Sequence, residues 1–106
     1  MATVTITSVN SSTTSQAVVS ANVSRSHVTL VNTDGNRCYF RLGSTAATTS
    51  AGGFVDFLDE NDVAYLDGDE AEQAIQAIWS GDGTGALSVT QTITEQLSGA
   101  SATSIL

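Results

Sequence analysis

Short runs in which apolar and polar residues alternate recur along the chain, separated by turn-forming residues. In TVTITSV (3–9), Val4 and Ile6 fall on one side, and Thr3, Thr5 and Thr7 on the other. The same period of two runs through QAVVSANV (16–23), HVTLVN (27–32), RCYFRL (37–42), GFVDFL (53–58) and VAYLD (63–67). It returns in GALSVTQTI (85–93), where Leu87 and Val89 share a face. A period of two places alternate side chains on opposite faces of a pleated strand, so each run reads as a strand with one face turned to a core. DGDEAEQAIQAIWSG (67–81) fits two periods. As a helix, Asp69 would cap it with Glu72, and Ala71, Ala74, Ile75, Ile78 and Trp79 would share a stripe. As a strand, Ile75, Ala77 and Trp79 share one face. Among so many other strands, residues 74–79 are expected to be a strand after a turn or short helical turn. This gives about eight strands and predicts an all-β, antiparallel fold, a sandwich or a barrel, with residues 1–106 as a single domain. Residues 1–12 are expected to form an N-terminal arm or strand suited to pairing with a neighbour. The tail 98–106, SGASATSIL, is either frayed or held by a partner through Ile105 and Leu106.

The segment HVTLVNTDGNRCYFRLG (27–43) has the form of a hairpin around the turn signal TDGN. Parity sets its expected register. A three-residue loop, Asp34 to Asn36, would pair Leu30 with Phe40 and Val28 with Leu42 and so match the apolar faces. Arg37, Tyr39 and Arg41 would then line the opposite face, near Thr29 and Val31.

Charge adds a second observation. The 106 residues include 11 Asp and Glu but only three Arg and no Lys, for a net charge of −8. Three cations make no basic stripe for phosphates, so neither nucleic acid nor an anionic membrane is an expected partner. No apolar run is long enough to span a bilayer, and the first residues lack the basic and apolar regions of a signal peptide. One cysteine, Cys38, allows no internal disulfide. Serine and threonine must cover the surface, and the absence of Pro leaves strand edges to be protected in other ways.

The three Arg, at 25, 37 and 41, surround the apparent hairpin, while eight of the carboxylates lie in residues 56–72. Pairing of these Arg with the chain's own carboxylates, or with those of a neighbour, is the expected use of so scarce a charge. Arg37, Tyr39 and Arg41, together with Arg25, Ile105 and Leu106, are therefore the candidate interface residues. In the acidic segment, Asp59, Asn61, Asp62, Asp67 and Asp69 are oxygen donors of the kind calcium takes, but the EF-hand spacing is absent, and no metal or cofactor is expected. SGDGTG (80–85) lacks the Lys of a phosphate loop and reads as a tight hairpin turn. His27 is the sole His. Ser26 beside it would point to the other face, and Cys38 falls on the apolar side, so no catalytic residue is expected.

The sequence RSHVTLVN, a short turn, RCYFRLG, then STAATTSAGGFVDF and the late AIWSGDGTGALSVTQ resemble small virion proteins of tailed bacteriophages, found as capsid decoration (cement) proteins, head-fibre bases and small tail components. The resemblance covers roughly residues 20–92. It implies a jelly-roll-like β-sandwich, often a homotrimer, that is made in the host cytoplasm and added to the virion in many copies. The partner would then be the major capsid protein or another virion protein. A non-enzymatic decoration protein that stabilises the head is the expectation; a tail or head-fibre part, or a module that binds a host glycan, is the alternative. The resemblance also supports the strand at 74–79. It gives Arg25 and Asn32 structural roles, at the strand entry and at the turn.

Overall fold

The computed structural model describes residues 2–94. Eight strands run in the order β1 (Ala2–Asn10), β2 (Gln16–Val19), β3 (Arg25–Asn32), β4 (Cys38–Leu42), β5 (Asp56–Leu58), β6 (Val63–Asp67), β7 (Ile75–Trp79) and β8 (Ala86–Thr94). One short helix, α1 (Gly68–Ala71), precedes β7. The 74–79 segment is thus a strand after a helical turn. The N-cap position is Asp67, not Asp69, and its side chain makes no capping bond, so the Asp69–Glu72 capping pair does not form. Five apolar positions at helical spacing were outweighed by the burial of Ile75, Ala77 and Trp79 on one strand face.

The strands form two four-stranded antiparallel sheets, β1-β8-β3-β6 and β2-β7-β4-β5. Apart from β4 and β5, every pair of consecutive strands is split between the two sheets. This winding is that of a jelly roll. Val28, Leu30, Leu66, Leu87 and Val89 from the first sheet face Cys38, Phe40, Leu58, Ile75, Ala77 and Trp79 from the second, all buried. Alternation along each strand therefore named the core correctly. Leu42 lies at its margin, only partly buried.

The winding corrects two expectations. Residues 27–43 do not form a hairpin, because β3 and β4 lie in different sheets. Leu30 is paired with Val89 and Ala64, and Phe40 with Ala77 and Asp56. Two strands with matching apolar faces can lie side by side or oppose each other across a core, and this chain takes the second course. SGDGTG likewise crosses from one sheet to the other, between β7 and β8, and is not a hairpin turn.

Buried polar groups fasten these crossings. The Asn32 amide oxygen accepts from Trp79 Nε1 and from the Asp34 backbone N–H, each at 3.1 Å. Its Nδ2 donates to the carbonyls of Asn36 and Leu58, each at 2.9 Å. From its place in the first sheet, this one side chain thereby satisfies four groups, two in the second sheet and two in the loop between them. Asp34, only 1% exposed, accepts from the Asn36 backbone and side chain and from the Gly85 N–H, all at 2.9 Å. The two crossover loops are so close that a Cβ on Gly85 would collide with the Asp34 backbone.

Candidate functional site

Strand parity turns Tyr39 and Arg41 outward on the second sheet, beside Ile78 and Gln76 of β7, and not near Thr29 and Val31, which belong to the other sheet. Arg37, just before β4, grips Asp59 with two bonds, Nε to Oδ1 at 2.8 Å and Nη2 to Oδ2 at 3.3 Å. Its guanidinium lies 4.0 Å from the centre of the Phe57 ring. Tyr39 meets Phe54 edge-on, with ring centres 4.9 Å apart, and Phe57 at 6.1 Å. The expected pairing of Arg37 with the chain's own acidic segment is present. It forms a small aromatic cluster capped by a fixed cation. Arg41 makes no ion pair among the described residues.

Arg25 has a different role. It is 2% exposed, and its guanidinium donates to the carbonyls of Ala71 (2.6 Å), Gln73 (2.7 Å) and Ser20 (3.0 Å) and to Gln91 Oε1 (3.1 Å). Burial lowers its pKa. The side chain ties the α1–β7 linker to β8 and to the end of β2, so it offers nothing to a partner. Its structural reading holds, and its place among the interface candidates does not. Ile105 and Leu106 lie outside the described residues.

One nearly uncharged surface was not legible from any single strand. It is the outer face of the first sheet. Pairing sets Val4, Ile6 and Ser8 of β1 beside Thr92, Thr90 and Ser88 of β8. These lie beside His27, Thr29 and Val31 of β3, which in turn adjoin Asp67, Tyr65 and Val63 of β6. The only acid on these four strand faces is Asp67, at one end, where it pairs with His27 Nδ1. Val4, Ile6 and Tyr65 are 61%, 72% and 74% exposed. The alternation predicts each outward residue. Only the strand order shows that they join into one surface.

A cleft of about 490 Å³ opens where the edge strands β5 and β6 fail to meet. Phe40, Leu42, Leu58 and Leu66 form its walls, and Asp56, Asp62 and Glu70 stand at its rim. His27 and Cys38 lie in opposite sheets, and Ser26 Oγ bonds to the Thr92 carbonyl at 3.2 Å, so neither pairs with His27. The Cys38 thiol is fully buried, and its pKa is pushed up to about 12 by desolvation and then by the charge of Asp34. Among the described residues no three His, Cys, Asp or Glu side chains converge as metal ligands. No helix among them is long and apolar enough to cross a membrane.

No family model matches the chain, and comparison with curated proteins returns no match.

Proposed function

We propose that this chain is a non-enzymatic structural protein of a tailed-phage virion, a capsid decoration protein that docks on shell subunits through the outer face of its first sheet. The observation that carries this reading is the neutral face itself. On a protein of net charge −8, four adjacent strands present Thr, Ser, Val, Ile and Tyr, with the face's one acid, Asp67, at one end beside His27. Such a face can be covered without stripping water from unpaired charges, which is the main cost of burying the acidic remainder of the surface. Four strands about 4.8 Å apart, some 20 Å long in their shared part, give roughly 400 Å². That is small for a lone interface, but sufficient for a part held in many copies on one particle. The jelly-roll winding is used by viral capsid domains, as well as by lectins and cupins, and so supports the reading without deciding it.

Induced lysates of the producing cells, resolved on a density gradient and read by mass spectrometry, test this. The chain is expected in the fractions that hold phage heads, and Thr90→Glu, in the centre of the face, is expected to release it to the soluble fractions with its β-sheet circular dichroism unchanged. Wild-type chain found only in soluble fractions overturns the proposal. The Tyr39–Phe54–Phe57 cluster favours one alternative, a host-glycan-binding module. Binding to a glycan array that Tyr39→Ala abolishes would establish it instead.

A further inference from the structure

The N-terminal strand carries an inference beyond docking to a shell. β1 has nine residues, is hydrogen-bonded to β8 alone, and forms the edge of its sheet. From Ala2 to Ser8 every residue is exposed, including Thr3 and Thr5, whose side faces the core farther along the strand. The other edges are short: β2 has four residues, β5 three and β6 five. Edge strands are normally protected by Lys, by Pro, or by a charge that resists a second strand. β1 carries no charged residue and no Pro.

From this we infer that the β1 edge is an interaction surface for a second copy of this chain, which adds its own β1 antiparallel and continues the four-stranded sheet into eight strands. Charge selects this occupant. Two copies, each of net charge −8, repel wherever carboxylates meet, and the β1 edge sets none against another. The sequence is also self-complementary about Thr5. A two-fold axis there pairs Thr5 with Thr5, Val4 with Ile6, Thr3 with Thr7 and Ala2 with Ser8. The two Val4–Ile6 pairs then lie on the neutral outer face, and threonines match threonines on the other. A paired edge from Ala2 to Ser8, about 24 Å long and 10 Å thick, buries roughly 240 Å² per copy, well below the ~800 Å² of a stable partner surface. The pairing is therefore reversible, and it fills when copies are concentrated, as on a particle. It is a two-fold contact, unlike the trimer expected from the resemblance, and mass distinguishes the two.

The test is sedimentation equilibrium of the isolated chain over a wide concentration range, with no particles present, so its outcome is independent of docking to heads. A mass rising from one subunit towards two is expected. Val4→Lys combined with Ile6→Lys, both on exposed positions, should hold the chain at one subunit with its circular dichroism intact. Thr5→Cys under mild oxidation should yield a disulfide-linked dimer, since the native Cys38 is buried, whereas Ser88→Cys, inside the sheet, should not. A monomer at every concentration overturns the inference, as does a trimer or dimer that survives the double Lys variant.

Discussion

Replacing Asn32 by Ala removes a side chain that ties the first sheet to the second and to the crossover loop between them. In the wild type the amide satisfies Trp79 Nε1–H, the Asp34 N–H, and the carbonyls of Leu58 and Asn36. Asn32 is 0% exposed and Trp79 1%, so water cannot reach the groups around the indole nitrogen without disrupting the core. Each buried group left unpaired costs about 1–3 kcal/mol. With two of the four beyond the reach of water, a loss of about 3–5 kcal/mol is expected, a large share of the ~5–15 kcal/mol of a domain this size. The midpoint of thermal unfolding should then fall by roughly 12 °C or more. Urea unfolding followed by fluorescence is the assay, because Trp79 is the only Trp and reports directly on this site. Asn32→Asp keeps the shape but loses both donors and places a second carboxylate beside Asp34. Its deficit should shrink as pH falls. A loss below about 1 kcal/mol for Asn32→Ala, with an unchanged denaturant slope, would refute the argument that this amide holds the sheets together.

Three further outcomes follow from the same region. The Asp34 carboxylate is held below its ordinary pKa, first by the Asn36 backbone N–H, and with lesser help from the Asn36 side chain and Gly85. A depressed pKa adds stability that is full above the unfolded value near ~3.9 and is lost as pH falls through the folded value. Wild type should therefore lose stability more steeply below about pH 4 than Asp34→Asn, as read by urea midpoints across an acid series. Gly85→Ala would drive a methyl into the Asp34 and Thr33 backbones and should cost about 1–3 kcal/mol or more. Gly35→Ala, which meets nothing within 4 Å, should cost far less in the same assay. Cys38 should not react with a thiol reagent at pH 8 until the protein unfolds, and Cys38→Ser should still fold.

Most of the strands could be read directly from the chain, and for a local reason. Alternation is a property of neighbours in sequence, so Val28 and Leu30, Cys38 and Phe40, and Leu87 and Val89 marked their inward faces with no knowledge of the fold. The scarcity of Arg was also informative. Arg37 does pair within the acidic segment, at Asp59. Arg25 defeated the surface argument because its partners are backbone carbonyls and a glutamine amide, which no charge pattern reveals. The hairpin at 27–43 failed because TDGN is compatible with a tight turn. The buried bonds of Asn32 and Asp34, which depend on Trp79 and Gly85 far along the chain, make it a crossing between sheets.

By itself, then, the sequence determined the strands, their inward residues and the all-β class, because a period of two is written into each short run. The tertiary structure alone decided which strands lie side by side. Pairing is a contest among distant segments, and closing a longer loop costs only slightly more than closing a short one, so proximity in sequence does not choose the neighbour. That choice assembled four separate outward faces into one neutral surface and left β1 exposed at its edge.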